Sequence, residues 1–510
     1  MRFLLKLNTL KVLSNEELDL IHQNTMDLLE KVGIRVESEE ARAFLKEKGA
    51  IIDDIAKEQV KFPEWLIKDN LRKVPKTFSL WGPDGSYKMT IDTKSVHFGT
   101  FGAAVNIHDP TKKKKIRKTT LQDTINHIKV SNALDNIDCS HMDVWPSDVP
   151  FTELHCHTIK GWANNSYKPY GMSCFGKVAS QDMINLVSII VGDLNEVITK
   201  PRLIGVFNPT SPLLLERIQL NGLFVFAENK QPLLISAAAS AGSTSPVTLA
   251  GSLTQANMEV ISVIVLTQLI NPGTPVLYGS TNTIMDPITG NIAYGSIEMT
   301  LLTIAAAQIA RFYKIPSKGS GALTDSKAFD MQNGMERFMG LSAAVNAGHN
   351  YITCAGTYES SLSEALELLI IDNEIIGMLK RGKFGIEIND TTLANAEITQ
   401  AFNLKKNYLG TKHSVKNTRK EIFVPKLMNR EKRGRWLRSG SKDVFNLAQE
   451  KVFEILNSYK CPEIPGSVNT ALDEYIEEVS KRSLEDYAKL EGLNHAQDPK
   501  NIGGVQINDQ

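Results

Sequence analysis

The sequence predicts an α/β protein centred on a parallel (β/α)8 barrel of the TIM type, with an α+β region before it and a mostly helical extension after it. Three observations carry that expectation. Short β-prone runs ending in Gly, Ser, Thr or Asn alternate eight times with amphipathic helices. Each unit spans roughly 30–40 residues, long enough for a right-handed crossover between parallel strands. A count of eight favours closure into a barrel. A doubly wound sheet normally places a glycine-rich turn after its first strand, whereas here no GxGxxG follows and the chain reads HFGTFGAAV.

Residues 1–94 form the expected N-terminal α+β region. Ser14 precedes Asn15-Glu16-Glu17, an N-cap followed by acidic residues in the first turn. A helix through Leu18, Ile21, Met26, Leu29 and Val32 follows the 3.6-residue period and ends at Gly33. IRV is a short strand, Glu39 to Lys48 a second helix, and Phe62-Pro63 opens a third. FSLWG and KMTID are further strands.

The barrel is expected over residues 95–382. Its strand candidates are VHFGTF from Val96, IDCSHM from Ile137, YGMSC from Tyr170 and LIGVF from Leu203, then LLISAA from Leu233, PVLYGS from Pro275, IPSKGSG from Ile315 and YITCAG from Tyr351. The intervening helices are Leu121–Leu134, Phe151–Asn164, Gln181–Val191, Leu213–Glu228, Gln255–Ile270, Ile297–Phe312, Met331–Ala347 and Ser363–Leu379. Residues 383–510 form the extension. It is polar and irregular to about 440, with a basic cluster at Arg430, Lys432, Arg433, Arg435 and Arg438, then helical, and closes on a tail, NIGGVQINDQ, expected to be disordered.

Composition narrows the function classes. The 57 basic and 57 acidic residues cancel, so no global field favours nucleic acid or an anionic membrane. Cys139, Cys156, Cys174, Cys354 and Cys461 are scattered, odd in number and without a CxxC, which argues against a disulfide framework or zinc ribbon and for a reducing compartment. The apolar runs Val260–Ile270 and Leu301–Ala310 fall short of the ~18–20 residues of a membrane span. A cytoplasmic protein with no nucleic-acid or membrane partner is expected.

In a barrel of this kind, function sits at the carboxyl ends of the strands and the loops that follow. Those positions hold Phe101, then His141 and Trp145, then Phe175, then Phe207 and Asn208. Later strands supply Ser280, Thr281 and Asn282, then Ser320, Asp325 and Gln332, then Tyr358 and Glu359. No HExxH, metal-ligand set, nucleophile elbow or P-loop is present, so no metal and no assigned catalytic residue is expected. Aromatics, hydroxyls and amides suit a small polar or cationic organic ligand, because aromatic faces attract quaternary ammonium groups. For Phe101, Phe175 and Phe207, core packing and ligand contact both remain open. Asp325 and Glu359 are equally placed to cap helices. In His155-Cys156-His157 alternate side chains point apart on a helix, which predicts surface residues rather than ligands. Lys112–Lys115 with Arg117 and Lys118 is expected to be a solvated loop.

Several segments resemble the trimethylamine methyltransferase (MttB-like) superfamily, in particular its members without pyrrolysine, which are similar to glycine betaine:corrinoid methyltransferases. They are LSNEELDLIHQNTMDLLEKVGIRV from Leu13, RKTTLQDTINHIKVSNAL from Arg117, AGSTSPVTLAGSLTQANMEV from Ala241 and INPGTPVLYGST from Ile270. The most specific is AAAQIARFYKIPSKGSGALTDSKAFDMQNGMER from Ala305, followed by IIDNEIIGMLKRG and TKHSVKNTRKEIFVP. The resemblance covers roughly residues 10–460. It implies methyl transfer from a methylated amine to the Co(I) of a corrinoid (cobalamin) carried by a separate partner protein, within one-carbon metabolism or methanogenesis, by a homo-oligomer. No pyrrolysine appears in the sequence, which points to a quaternary amine such as glycine betaine. Trimethylamine, carnitine or another N-methyl compound is the enzymatic alternative, and a non-catalytic ligand-binding barrel or scaffold subunit the other. On this resemblance Phe101, His141, Trp145, Phe175, Phe207, Asn208, Tyr358 and Glu359 bind substrate. Ser280, Thr281, Asn282, Ser320, Asp325 and Gln332 line the pocket or face the cofactor.

Overall fold

The computed structural model describes residues 9–492 except 54, 113, 114, 461 and 463; the tail NIGGVQINDQ lies outside the described residues. All eight predicted strands form, and in the predicted order: β1 (His97–Phe98), β2 (Ser140–His141), β3 (Tyr170–Ser173), β4 (Leu203–Phe207), β5 (Leu233–Ala237), β6 (Val276–Ser280), β7 (Ser317–Ser320) and β8 (Tyr351–Thr353). They pair in parallel around one sheet, with registers such as Tyr170↔Leu203, Leu234↔Leu277 and Lys318↔Tyr351. The two ends of the sheet meet where Gly99 bridges Cys139 in parallel and the Asp138 N–H donates to the Phe98 carbonyl at 2.7 Å. Closure removes the exposed edges that an open sheet would present.

The helices that follow these strands are α1 (Leu121–Ala133), α2 (Leu154–Asn165), α3 (Lys177–Val191), α4 (Arg217–Glu228), α5 (Leu249–Ile270), α6 (Ile297–Phe312), α7 (Met331–Ala347) and α8 (Leu366–Phe384). Local chemistry sets several starts. Thr120 and Asp123 form a capping box on α1, the Ser296 hydroxyl accepts from the Met299 N–H at the start of α6, and Asp330 accepts from Asn333 on α7. Three helices, α2, α4 and α8, start later than periodicity predicts, and before α4 and α8 the residues are taken into sheets. Leu214–Leu215 pairs with Ile34–Val36, and Ser363–Glu364 pairs with Thr357–Tyr358 and Asn106–His108. α5 runs longer than its apolar core. Among the described residues it is the one helix long and apolar enough to cross a membrane, yet it lies buried against the barrel strands and two N-terminal helices.

The N-terminal region shares its core with the barrel. Helix Asn15–Lys31, capped as predicted by Ser14 and Glu17, packs on α5, and its strand Ile34–Val36 borrows Leu214–Leu215 as a neighbour. The hairpin of Thr77–Trp81 and Lys88–Asp92 seals the amino-terminal end of the barrel. Phe78, Leu80, Met89 and Ile91 join Cys139, Ile204, Val206, Leu234, Leu277 and Tyr351 in one apolar cluster. A second, larger cluster fills the layer between strands and helices. Full burial of each such Leu or Ile contributes about 1.5–3 kcal/mol.

The extension differs from expectation in one respect. Residues 383–440, predicted irregular, contain four short helices, Asp390–Leu393, Asn395–Leu404, Lys412–Glu421 and Arg433–Arg438, none with a buried residue. They are short and mostly polar, and the apolar residues they do carry, such as Ile398, Phe402 and Val415, are exposed rather than packed on the barrel. Val444–Ser458 then packs on α8 and α1, and Gly466–Ser480 on α3.

Candidate functional site

Strand alternation decides which side chains enter the barrel. Ile204 and Val206 on β4, Leu234 on β5 and Leu277 on β6 face inward as an apolar floor. Above it the inward positions turn polar: His141 on β2, Ser236 on β5, Thr281 after β6, and Lys318 and Ser320 on β7. Two glycines make room at this level. A Cβ on Gly171 would fall 1.9 Å from the His141 ring, and one on Gly99 2.1 Å from the Tyr351 hydroxyl.

These side chains form one connected network. The Lys318 ammonium donates to Thr281 Oγ1 at 2.8 Å and Ser320 Oγ at 2.9 Å. Thr281 Oγ1 is 3.2 Å from Ser236 Oγ, and the Ser320 hydroxyl donates to the Ser280 carbonyl at 3.3 Å. Lys318 Nζ lies 5.3 Å from the centre of the Phe101 ring, which meets the His141 ring edge-on at 5.5 Å. His141 Nε2 and the Tyr351 hydroxyl are 2.7 Å apart. Burial pushes His141 down to about 3, with the nearby Lys318 charge adding to the effect, so its imidazole is neutral. Burial also pushes Lys318 down to about 8. Among the described residues no carboxylate lies within ion-pair distance of Lys318, whose side chain is fully buried.

Behind this network, toward α1, α7 and α8, lies a second buried group. His127 Nε2 is 3.3 Å from Asp143 Oδ2 and 3.8 Å from Glu364 Oε1, and neither His127 nitrogen completes a hydrogen bond. Burial holds His127 down to about 4 and raises Asp143 and Glu364 well above the usual carboxylate range. Beside them Arg337 and Asp372 form a bidentate pair with no exposed surface.

Of the residues picked from sequence, Phe101, His141, Thr281 and Ser320 come together at the inner face. The others do not join it. Phe207 is fully buried on the outward side of β4, within the strand–helix layer. Ser280 alternates outward and accepts from the Asn282 N–H at 3.4 Å, while Asn282 Oδ1 accepts from the Ala239 N–H. Trp145 and Phe175 pack edge-on at 5.2 Å, against the strand–helix core. The Asn208 N–H donates to Gln219, and its Oδ1 is buried without a partner. Tyr358 packs with Ala365, Leu368 and Phe329 beyond β8, and Glu359 accepts from Ser363 in the same turn. Asp325 ties a loop down by accepting from the Tyr294 and Gly295 N–H groups and the Ser360 hydroxyl. Gln332 is exposed and bonded to Glu336. Lys318, Ser236 and Tyr351 are the inner residues that sequence reasoning missed. Lys318 carried a usable signal: it stands two positions before Ser320, on the same face of the same strand.

His155 and Cys156, expected at the surface, are buried. His155 Nε2 is 3.0 Å from Asp182 Oδ2, and Asp182 also pairs with Arg482 and accepts from Tyr475 at 2.7 Å. His157 points away to Glu153, as the helical spacing requires. His155, Cys156 and Asp182 are close enough to hold a metal. Their charges are already matched, though, and the cluster clamps the C-terminal helices to α2 and α3. Of the Lys112–Lys118 run, Lys112 and Lys115 are exposed, whereas Arg117 pairs with Asp109 and Asp123. A concavity of about 470 Å³ opens on the extension among Asn389, Thr392, Lys416 and Lys420, outside the barrel.

A family model described as trimethylamine methyltransferase (MTTB) matches residues 3–483. A glycine betaine methyltransferase of Desulfitobacterium hafniense (strain Y51) is 31% identical over 472 residues, covering 92% of this chain and 97% of that protein. A trimethylamine methyltransferase MttB of Methanosarcina thermophila is 33% identical over 467 residues, covering 90% and 95%. The solved monomethylamine methyltransferase (MtmB) of Methanosarcina barkeri superposes with a TM-score of 0.46 at 12% identity, over 88% of this chain and 96% of that one.

Proposed function

The chain belongs to the trimethylamine methyltransferase family and is a methyltransferase, and from that premise we propose that it takes a methyl group from a quaternary amine, with glycine betaine as the leading substrate. The acceptor in this proposal is the Co(I) corrinoid of a separate protein, and the setting is the reducing cytoplasm, which suits the four buried free thiols described. The observation that carries the proposal is the make-up of the inner face, with an aromatic ring, hydroxyls, a neutral imidazole and one ammonium. A quaternary ammonium already leaves as a neutral amine, so the protein has to position it and exclude water rather than protonate it. The reduced corrinoid supplies the nucleophile. Phe101, Ser236, Thr281, Ser320 and His141 would form the wall against which the substrate is held.

The test adds a panel of methylated amines to the protein and a reduced corrinoid protein, following the absorbance of the Co(I) form. Glycine betaine is expected to discharge that absorbance. A response to trimethylamine alone would move the substrate to a tertiary amine, and silence across the panel would overturn the proposed substrate and acceptor.

A further inference from the structure

Lys318 is costly to keep where it is. A fully buried ammonium loses its hydration, and two neutral hydroxyls return only part of that energy. Its ion-pair radius holds no carboxylate among the described residues, although the barrel places acids nearby: Asp143 and Glu364 are directed to His127, and Asp372 to Arg337. Lys318 is not a snorkelling surface residue either, because its chain starts in the middle of β7 and ends on Thr281 and Ser320, at the carboxyl-terminal level of the strands. That is the level at which barrels of this type bind their ligands. Around it stand Phe101, Ser236, Thr281, Ser320, the neutral His141 imidazole and the buried thiol of Cys354, so no carboxylate compensates its positive charge.

From this geometry we propose that Lys318 anchors the carboxylate of the substrate, which makes the site selective for zwitterionic quaternary amines over N-methylated amines that lack an acid group. The proposal rests on the methyltransferase reading of the inner face and adds the specificity determinant to it. In a betaine the carboxylate is joined to the quaternary nitrogen by a short linker. With the carboxylate on Lys318, the ammonium stands off toward the barrel mouth and its own anion lies between the two cations. A cation without a carboxylate meets Lys318 unscreened. No bond is made or broken by Lys318, which is a positioning residue. Bringing an anion to a half-charged ammonium draws a proton onto it, and this gives the proposal a signature that packing alone lacks.

The experiment is calorimetric binding of glycine betaine and of choline to the full chain and to Lys318→Met, Lys318→Gln and Lys318→Arg, with a thermal melt of each variant. Each titration is repeated at pH 8 in buffers of different ionisation enthalpy. The wild type should bind betaine more tightly than choline and take up roughly half a proton per betaine at pH 8, but none with choline. Lys318→Met and Lys318→Gln should weaken betaine roughly 10- to 100-fold and abolish the uptake. Choline binding should hold or improve, and Lys318→Arg should retain part of the betaine affinity. The proposal is overturned if folded Lys318→Met binds betaine like the wild type. It also falls if the wild type prefers choline or binds neither ligand. Betaine binding that depends on Lys318 without methyl transfer to a reduced corrinoid protein would sink the methyltransferase reading and leave this one standing. Transfer with an unchanged KM in Lys318→Met would do the reverse.

Discussion

Asp372→Asn tests how the turn above β8 is held. Arg337 Nε donates to Asp372 Oδ1 at 2.8 Å, Nη2 donates to Oδ2, and Nη1 donates to the Thr357 carbonyl; the Gly356 N–H donates to Oδ2 at 2.8 Å. Both side chains have no exposed surface, so neither ion can turn to water when the other is lost. The asparagine keeps the shape but removes the counter-charge, and it turns an amide N–H₂ toward either the guanidinium or the Gly356 N–H. Breaking one side of such a buried pair costs about 3–5 kcal/mol, a large part of the 5–15 kcal/mol that typically separates folded from unfolded protein. The double change Arg337→Met with Asp372→Leu removes both charges. It leaves the Gly356 N–H and Thr357 carbonyl without partners, at about 1–3 kcal/mol each, and restores apolar packing. Apolar replacement of a buried pair is otherwise neutral to about 1–4 kcal/mol stabilising, which offsets the orphaned groups. The double variant should therefore be no less stable than the single one. Urea unfolding followed by far-ultraviolet circular dichroism measures both. An Asp372→Asn loss below about 1 kcal/mol, or a double variant clearly worse than the single, would refute the assignment of this pair as the clamp joining α7 and α8.

Phe207→Ala should cost about 3–5 kcal/mol of stability, read by urea unfolding, while leaving the calorimetric affinity for glycine betaine unchanged; the opposite pattern would place the ring in the pocket. Lys318→Met should be stabilising in a pH-dependent way. The folded-state value near 8 lies below the usual 10.5, so the folded chain carries a penalty of roughly 3 kcal/mol below pH 8. That penalty fades as pH rises from 8 to 10.5, and the melting advantage of the variant should fade with it. Arg482→Met strips Asp182 of its cationic partner on the C-terminal segment. It should cost about 1.5–3 kcal/mol and open the segment beyond residue 465 to limited proteolysis before the barrel is cut.

The barrel was legible in the chain because eight strands and eight helices announce themselves by composition and period, and every strand candidate became a strand. The inner face was only partly legible. In LIGVF the terminal aromatic drew attention to Phe207, yet alternation from Ile204 and Val206 sends Phe207 outward; Gly205, which faces Phe226 closely enough to exclude a Cβ, marks the same outward side. In IPSKGSG the pattern points to Ser320 and not to Lys318, since a lysine inside a barrel runs against the usual burial preference. Tyr358 and Glu359 were lost for another reason. After Gly356 at φ +97 the chain leaves the strand, and Glu359, Ser360 and Ser361 all adopt positive φ, a path that no period in the sequence encodes. The burial of His155 was hidden because its partner Asp182 lies on the next helix and is held in turn by Tyr475 and Arg482 from the distant C-terminal segment.

The layering of the barrel gives the site its discrimination. Ile204, Val206, Leu234 and Leu277 form an apolar floor that the hairpin of Thr77–Trp81 and Lys88–Asp92 closes from below, so the barrel beneath Lys318 offers no polar side chain of that floor to compensate its charge. A second cation held about 6 Å from Lys318, at an effective dielectric constant of about 20, is disfavoured by roughly 3 kcal/mol. A carboxylate between the two reverses the sign. The affinity order should then run zwitterion, neutral tertiary amine, bare quaternary cation. The bare quaternary cation should improve as the pH passes 8 and Lys318 discharges, and tetramethylammonium is the clean probe because its own charge, unlike that of a tertiary amine, does not change with pH. Its Kd, measured by calorimetry between pH 6.5 and 9.5, should fall by about tenfold or more. A flat profile would mean that the ammonium group of the ligand sits beyond the reach of Lys318, and the charge-sorting role of the floor would have to be given up.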